Sequence, residues 1–300
     1  MSSLKELFYL PYWFIGARFF GRKKPLQSVV FITDRCNLRC KHCSVYNLTN
    51  PVSKSYGQLR EELEYCYSLG SRFVDFEGGE PFIWKDGDKD IDDLIRLAKS
   101  IGFFSCTITT NAQKPFHTDE ARSIWVSLDG VGEYHDKVRG EGAFARFEKN
   151  IATCGHKALS VNMAINTLNW EAVGPTIEYA KASPYIKSIS FSFHTQFKGT
   201  EYLALDQATR EKVIDLLLDY KKKGYPIMNT SVGIRKMRRL DFEPQCWVTN
   251  YVLTDGTRLP QCPGKEAGVC DQCGFGMAGE MNAVFNFHPE TILAGLKLRG

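Results

Sequence analysis

Short apolar runs alternate with longer amphipathic stretches along most of this chain. The runs are rich in β-branched and aromatic residues, which predicts strands. There are six of them: Ser28–Thr33, Arg72–Glu77, Phe103–Thr109, Ile124–Leu128, Ser160–Ile165 and Lys187–Phe193. Strands that alternate with helices are typical of βα units in a mainly parallel sheet, so the pattern predicts an α/β fold.

Amphipathic stretches between and after the strands predict five helices. They are Gln58–Leu69, Ile91–Ile101, Phe144–Cys154, Trp170–Lys181 and Gln207–Lys223. Between Asn111 and Ser123 there is room only for a short turn, so we expect an abbreviated third crossover. Beyond about Asp241, cysteine, glycine and proline replace the periodic pattern. We therefore expect an α/β core over 25–240 and a small cysteine-rich region over 241–300.

The N-terminal segment, residues 1–24, is aromatic along its length and basic at its end. Its aromatic residues are Phe8, Tyr9, Tyr12, Trp13, Phe14, Phe19 and Phe20, and its basic residues include Arg18, Arg22, Lys23 and Lys24. Pro11 and Arg18 interrupt the apolar run well short of the roughly 18 residues that a membrane-spanning helix requires. Two alternatives stay open: a helix docked on the core, or an amphipathic anchor in a membrane interface.

The composition is that of a folded globular protein, with 43% hydrophobic and 24% charged residues in a chain of 300. The net charge is only +4 and no basic face is apparent, which argues against nucleic-acid binding. Ten cysteines in a chain of this size, without a signal-peptide pattern, indicate reduced thiols in the cytoplasm. Cys66, Cys106 and Cys154 stand alone and are expected to be buried. The other seven form two groups, which indicates metal binding.

The first group, Cys36, Cys40 and Cys43, has the spacing C-x3-C-x2-C in the loop after the first predicted strand. Three thiolates on a short loop suit an iron–sulfur cube, because three ligands for four irons leave one iron open. Structural zinc requires four ligands, and His42 is the residue that would complete such a set.

This motif resembles that of the radical S-adenosylmethionine (SAM) superfamily, with His42 in the aromatic slot of the signature C-x3-C-x-aromatic-C. The resemblance implies a partial (β/α)6 TIM barrel that holds a catalytic 4Fe-4S cluster. The cluster would bind SAM at its open iron and cleave it reductively to a 5′-deoxyadenosyl radical. The resemblance also assigns Gly78, Gly79 and Glu80 to the GGEP segment that holds the SAM amino group. Paired glycines allow close backbone approach to the ligand, and a carboxylate complements an ammonium group.

Polar residues near the next strand ends resemble the family's contacts to the SAM ribose and carboxylate. These are Thr110 and Asn111 after the third strand and Ser127 and Asp129 after the fourth; helix caps use the same residue types. Arg139 would pair with the SAM carboxylate, or else lie on the surface. His194, at the end of the sixth strand, is the candidate acid or base for substrate, and a bond to its own loop is the alternative.

The second group of cysteines resembles the C-terminal SPASM or twitch extension of many radical SAM enzymes. Its members are Cys246, Cys262, Cys270 and Cys273, and four thiolates ligate one auxiliary 4Fe-4S cluster. The chain has no cysteine after Cys273, so it lacks the rest of the full SPASM pattern. A four-cysteine zinc knuckle is the alternative.

We therefore predict a radical SAM enzyme, an oxidoreductase or transferase, that takes electrons from a flavodoxin or ferredoxin. A two-cluster electron carrier without SAM chemistry is one alternative, but it needs neither a GGEP segment nor six βα units. A zinc-stabilised nucleic-acid binder is another. The aromatic and basic N-terminus favours an apolar or membrane-borne substrate, such as a lipid, and a ribosomal peptide stays open as the alternative. We expect a cytoplasmic protein, associated with a membrane if this segment is an anchor.

Overall fold

One eight-stranded sheet organises the molecule, as seen in a computed structural model that describes residues 4–43 and 50–297. The strands are β1 (Gln27–Thr33), β2 (Phe73–Gly78), β3 (Ser105–Thr110), β4 (Ser123–Ser127), β5 (Leu159–Ile165), β6 (Ile186–Phe193), β7 (Thr249–Val252) and β8 (Arg258–Leu259). Their order is β6-β5-β4-β3-β2-β1-β7-β8, and all neighbours are parallel except β7 and β8. The predicted α/β fold with a mainly parallel sheet is confirmed.

Helices connect the strands and extend beyond them. In the described chain they are α1 (Leu4–Phe20), α2 (Tyr56–Leu69), α3 (Ile91–Ile101), α4 (Glu133–Arg139), α5 (Ala143–Thr153), α6 (Val173–Ala182), α7 (Gln207–Lys222), α8 (Ser231–Lys236), α9 (Pro263–Glu266), α10 (Gly276–Phe285) and α11 (Pro289–Lys297). The predicted helix from Trp170 begins as a 3-10 turn, Trp170–Ala172, before α6. Residues 111–122 contain no helix, as expected for the abbreviated third crossover.

The sequence pattern missed several short elements, among them α4 and β7. Helix α4 has seven residues and no side-chain cap, and β7 has only four residues, so neither is long enough to show a clear period. Strand β7 pairs in parallel with β1, with Tyr251 opposite Val29. Part of the region beyond Asp241 therefore extends the same sheet as the core.

The two faces of the sheet differ because side chains alternate along each strand. One face carries fully buried apolar side chains such as Ile32, Phe76 and Ile108, in one core with residues of α2, α3, α5, α6 and α7. Each such side chain contributes about 1.5–3 kcal/mol of burial free energy. The other face, here called the polar face, carries Asp75, Glu77, Thr107, Thr109, Trp125, Ser127, Ser160, Asn162, Ser188, Ser190, Ser192 and Tyr251, together with the apolar Val29, Phe31 and Ala164.

Helix α1 is docked on the C-terminal part of the chain. Trp13 and Ala17 are buried against Val248 and Phe285. The Arg18 Nε donates to the Phe285 carbonyl oxygen at 3.1 Å, which fixes the end of the helix. The docked-helix alternative is therefore what the structure has.

The opposite side of α1 remains exposed. Its large apolar side chains Phe8, Tyr12, Ile15, Phe19 and Phe20 are 71%, 65%, 47%, 63% and 67% exposed. Four of them recur at the spacing of one helix side, and we call these five residues the outer stripe. No helix among the described residues is long and apolar enough to cross a membrane.

Candidate cofactor site

The three cysteines of the first group lie in the loop after β1. Cys40 is buried, whereas Cys36 and Cys43 are half-buried. The Cys43 N–H donates to the Cys40 carbonyl oxygen at 3.2 Å, and the Lys41 N–H donates to the Val138 carbonyl oxygen of α4 at 3.0 Å. All ten cysteines of the chain are free thiols. The predicted ligands are therefore unbridged and lie on one anchored loop.

Several N–H groups are directed at the sulfurs of this loop. The Leu38 backbone and the Asn111 side-chain amide donate to Cys36 Sγ at 3.4 and 3.5 Å. The Arg139 Nη1 donates to Cys40 Sγ at 3.8 Å. Burial raises the pKa of the Cys40 thiol to about 11, so the thiolate form depends on such donors or on a bound metal. Hydrogen bonds to sulfur are among the features that tune iron–sulfur clusters, so this donor set fits one.

The paired glycines pack against the backbone of the cysteine loop. Gly79 N–H donates to the Thr33 carbonyl oxygen at 2.6 Å, and Glu80 N–H donates to the Arg35 carbonyl oxygen at 2.9 Å. A Cβ on Gly79 would lie 2.1 Å from the Arg35 oxygen, and one on Gly78 would lie 2.3 Å from the Thr33 oxygen. The close approach expected for a ligand is thus, in the structure, an approach to the loop that carries the cysteines.

Glu80, Thr110 and Asn111 meet where β2 and β3 end. Glu80 is 2% exposed, and its carboxylate accepts from Thr110 Oγ1 (2.8 Å), the Asn111 backbone N–H (2.8 Å) and the Phe82 backbone N–H (3.0 Å). Burial raises the pKa of Glu80, and these donors oppose the rise. Because Asn111 also contacts Cys36, three of the predicted SAM contacts lie together beside the cysteine loop.

The helix-cap alternative does not describe the four polar residues at these strand ends. Thr110 and Asn111 each accept a bond from the backbone N–H two residues later, in a non-helical turn. Ser127 and Asp129 precede α4, but that helix begins after Gly132. Ser127 is half-buried at the end of β4, on the polar face.

Asp129 and Arg139 form a buried ion pair. Arg139 is 8% exposed, so it is not a surface arginine, and its Nε donates to Asp129 Oδ2 at 2.6 Å. Asp129 is fully buried, and its Oδ1 accepts from the Ala164 N–H at 2.9 Å. Burial alone would raise the pKa of Asp129, but the Arg139 charge together with the neighbouring histidines and the Ala164 N–H outweighs it, and the pKa lies below the ordinary value. The pair links the loop after β4 to Cys40.

His42 lies beside this pair, with its Nε2 3.7 Å from Asp129 Oδ2. Its Nδ1 is buried without a hydrogen-bond partner. Burial lowers the pKa of His42 to about 4, so the ring is neutral near pH 7. Within residues 4–43 and 50–297, no group of three or more His, Cys, Asp or Glu side chains is arranged to hold a single metal ion. An iron–sulfur cube is wider than one ion, and its thiolates bind different irons.

The second group of cysteines lies beside β7 and β8. Cys246 begins the 3-10 turn before β7, Cys262 precedes α9, and Cys270 begins another 3-10 turn that ends before Cys273. Cys270 is exposed and the other three are half-buried. Burial raises the pKa of Cys246 to about 11, and the three other cysteines of the group raise it further, which reflects their proximity.

Tyr251 lies between the second cysteine group and the polar face. It is opposite Val29 on β1, which is opposite Asp75 on β2. Burial raises the pKa of the Tyr251 phenol well above its ordinary value, and negative charge at Cys262 and Glu77 adds to this effect. One side chain therefore adjoins both a predicted cluster site and the polar face.

His194 is held by its own loop. It is 8% exposed, and its Nε2 lies 3.0 Å from both the carbonyl oxygen and Oγ1 of Thr200. It also lines a cleft of about 200 Å³ together with Arg210 and Arg239. The loop-bound alternative for His194 is thus present in the structure, and its role in catalysis stays a prediction.

Sequence reasoning did not single out Asp75, Glu77 or Tyr251. The signal for the two acids is visible in the sequence, because they alternate with Val74 and Phe76 along β2. For Tyr251 no local signal exists, because its position depends on the pairing of β7 with β1.

These features define an α/β protein with a cysteine loop and a GGEP segment at the strand ends of a parallel sheet. A model of the radical SAM superfamily matches residues 30–180, half of the chain, and the chain belongs to that family. It is an enzyme of this family, which argues against the electron-carrier alternative. Membership implies a 4Fe-4S cluster and SAM as cofactors.

Among curated proteins, the chain is 30% identical to the Fe-coproporphyrin III synthase of Methanosarcina barkeri, over 69% of this chain and 55% of that one. It is 34% identical to the GTP 3′,8-cyclase of Rhizobium etli, over 65% and 62%. It is 25% identical to the subtilosin biosynthesis protein AlbA of Bacillus subtilis, over 49% and 35%. The chain thus matches less than two thirds of the length of each of these relatives.

Solved structures show the same fold. Streptococcus suis SuiB bound to S-adenosylmethionine is similar with a TM-score of 0.63 and 17% identity, over 90% of this chain and 67% of that one. The anSMEcpe protein with bound AdoMet is similar with a TM-score of 0.61 and 17% identity, over 92% and 84%. This similarity supports the partial TIM barrel.

Proposed function

We propose that Cys36, Cys40 and Cys43 hold the 4Fe-4S cluster and that this enzyme modifies a polar substrate at its polar face. When bound, the cluster and SAM supply a 5′-deoxyadenosyl radical. The observation that carries the proposal is the N–H donor set aimed at Cys36 and Cys40, within a loop that the paired glycines hold in place.

The protein's own residues position the cofactors in this proposal. Glu80 offers a buried carboxylate beside Cys36, which suits the SAM ammonium group. Asn111 bridges the end of β3 to Cys36, so it orients the loop. Arg139 contributes positive charge beside Cys40 and keeps Asp129 ionised. Ser127 and Asp129 lie at the end of β4, where the ribose and carboxylate contacts are proposed.

The iron content of the protein tests the ligand assignment. We expect about eight irons after anaerobic reconstitution and about four after Cys36, Cys40 and Cys43 are together changed to Ala. The triple variant should also form no 5′-deoxyadenosine. Cys154→Ala is the matched control, because Cys154 is buried in the apolar core and belongs to neither group. Full iron content in the triple variant would contradict the assignment.

We propose one auxiliary 4Fe-4S cluster at Cys246, Cys262, Cys270 and Cys273. The mutual effect of these thiols on the pKa of Cys246 supports their proximity. Tyr251 adjoins this group and the polar face, which supports a role for the cluster near substrate. A flavodoxin or ferredoxin is the proposed electron donor. We expect the variant that lacks the first three cysteines to retain about four irons. If the second group were a zinc knuckle, that variant would retain no iron.

For the substrate, the polar face favours a polar molecule or a peptide over a lipid. Hydroxyl, amide and carboxyl groups line it, and an apolar chain would leave them without partners. The relative AlbA is named for bacteriocin biosynthesis, and one SuiB structure contains a precursor peptide. Other relatives are named as an Fe-coproporphyrin III synthase and a GTP 3′,8-cyclase, and both names refer to molecules that carry polar groups.

We also propose that the outer stripe of α1 contacts an anionic membrane surface. Five large apolar side chains exposed on one helix support this, as do the exposed Arg22, Lys23 and Lys24 directly after it. Each basic residue near an anionic bilayer contributes about 1 kcal/mol of binding. The enzyme would then work at a membrane without taking a lipid as substrate.

A further inference from the structure

Asp75 and Glu77 form a pair of carboxyl groups on the polar face. They are separated by Phe76, whose side chain is buried in the opposite face, so both acids lie on one side of β2. Glu77 directly precedes Gly78, which packs against the cysteine loop. The pair therefore lies on the strand that leads into the proposed cofactor site, and Glu77 is the nearer of the two acids to that site.

The buried acids elsewhere in the described chain have a cation or several donors. Glu6 pairs with Arg122, Glu62 with Arg258, and Asp129 with Arg139. Glu80 accepts three hydrogen bonds. Buried carboxylates generally need such partners, because losing water is costly for a charge.

Asp75 has no cation among the described residues, although hydrogen bonding from the Thr107 and Thr109 side chains partly offsets the effect of burial on its pKa. It is 8% exposed, and its Oδ1 is buried without a hydrogen-bond partner. Glu77 receives a bond from Thr109 Oγ1 at 3.4 Å. Among the ion pairs of the described residues, neither acid takes part in one. Two acids that lie side by side on one face of a strand without a cation are suited to receive one.

The rest of the polar face fits this reading. Apart from Ala164, its members on β3, β5 and β6 are hydroxyl and amide side chains, the residues opposite the two acids on β1 are Val29 and Phe31, and none of these described residues is Lys or Arg. Burial raises the pKa of both Asp75 and Glu77, and the charge of Asp75 raises that of Glu77 further. An anionic group would be repelled here, whereas a cation would relieve both the repulsion and the missing bond.

We propose that Asp75 and Glu77 bind a protonated amine or guanidinium group of the substrate. This inference rests on the proposed function for the identity of the site as a substrate site. It names the substrate class as a molecule that carries such a cation, for example a basic side chain of a peptide. Asp75 supplies the unpaired Oδ1, and Glu77 supplies the second carboxylate nearer the cofactors.

The test uses three probes that differ only in the side chain: N-acetyl-lysine amide, N-acetyl-norleucine amide and N-acetyl-glutamate amide. Binding to the reconstituted enzyme is measured by calorimetry or saturation-transfer NMR. The lysine probe should bind roughly tenfold more tightly than the norleucine probe, because it gains charge-assisted hydrogen bonds. Asp75→Asn with Glu77→Gln should remove that preference. Asp88→Asn, at a carboxyl that is 89% exposed, should keep it.

Three results would overturn the inference. They are equal binding of the lysine and norleucine probes, a preference for the glutamate probe, or a lysine preference that survives in the double variant. If the double variant does not fold, the lysine preference of the native enzyme is measured between pH 5 and 8. The lysine preference should weaken as the pH falls and the two acids are protonated. A preference that stays constant over this range would contradict binding of the cation by Asp75 and Glu77.

A separate measurement keeps this test distinct from the proposed function. SAM cleavage by the native enzyme, followed as 5′-deoxyadenosine, tests the radical chemistry without any probe. Failure of cleavage with an intact lysine preference would reject the chemistry and leave the cation site. If the double variant lost SAM affinity while the lysine preference was unchanged, the acids would serve the cofactor and the inference would be wrong.

Discussion

At the scale of single residues, the glycines of the GGEP segment determine how closely two backbones approach. Gly79 has no room for a Cβ, because the Arg35 carbonyl oxygen would lie 2.1 Å away. The nearest obstacle is backbone, which cannot rotate aside as a side chain can. A side chain at this position would therefore displace the loop that carries Cys36.

Gly79→Ala should thus reduce iron binding at the first cysteine group, and not only SAM affinity. Overpacking of this kind costs about 1–3 kcal/mol of unfolding free energy. Iron content and denaturant unfolding measure the two effects. Gly57→Ala is the matched control, because a Cβ on Gly57 would meet only the Ser55 Oγ at 3.9 Å. If the Gly79→Ala variant keeps its full iron content and loses only SAM affinity, the close approach at Gly79 serves the ligand and not the cysteine loop.

The Asp129–Arg139 pair is the second residue-scale feature with a measurable consequence. Arg139→Gln leaves the fully buried Asp129 without its cation, and breaking a buried pair costs about 3–5 kcal/mol. Lys85→Gln breaks an exposed pair with Asp90 and should cost at most about 1 kcal/mol. Unfolding free energies of the two variants provide the comparison. Similar small losses in both would show that Asp129 finds another partner.

At the scale of elements, α1 is apolar on both of its sides. Its inner side packs on Val248 and Phe285, and the outer stripe is exposed. A docked helix has no structural need for five exposed large apolar residues, so the outer stripe is open to a partner.

Changing Phe8, Tyr12 and Phe19 together to Ser should weaken binding to anionic vesicles by more than about tenfold, because each side chain loses apolar burial in the bilayer. Vesicle cosedimentation measures this, and high salt should also weaken it. The unfolding midpoint should change little, since the three side chains are exposed. Tyr202→Ser, at an aromatic residue that is 61% exposed outside α1, is the control. Unchanged vesicle binding would contradict the proposed membrane contact. So would a native dimer that dissociates in the triple variant, because the outer stripe would then be a contact between two copies of the chain.

At the scale of the whole molecule, the uncompensated acids of the polar face affect stability. Burial raises the folded-state pKa of Asp75 and Glu77 above their ordinary values of 3.8 and 4.5. The folded protein therefore binds more protons than the unfolded chain at pH values above these. Their contribution to the unfolding free energy is fully present at acidic pH and is lost as pH rises through the folded-state pKa. The Tyr251 phenol of β7 is another titratable group near the two acids.

Asp75→Asn with Glu77→Gln should accordingly become more stable relative to the native enzyme as pH rises. The slope of the difference is at most about 1.4 kcal/mol per pH unit for each proton. Anaerobic calorimetry from pH 5 to 8 measures the unfolding midpoints, with Asp88→Asn as the control. A difference that does not depend on pH would show that the two carboxyl groups titrate normally.

The sequence by itself was sufficient for the fold class and for the position of the cysteine loop. Alternating strands and helices follow from local periodicity, and the β1 to β6 bounds agree closely with it. The spacing of Cys36, Cys40 and Cys43 is also local, so the family could be recognised without any contact being known. The same holds for the GGEP segment, which the chain carries as a continuous motif.

Only the tertiary structure decided what these residues contact. Gly79 approaches Arg35, and Arg139 reaches Cys40, 99 positions away in the chain. Tyr251 lies on the polar face because β7 pairs with β1, and no local sequence pattern predicts that pairing. Such contacts arise where distant strand ends are brought to one edge of a parallel sheet. Their geometry depends on packing across the whole core, and no window of sequence contains both partners.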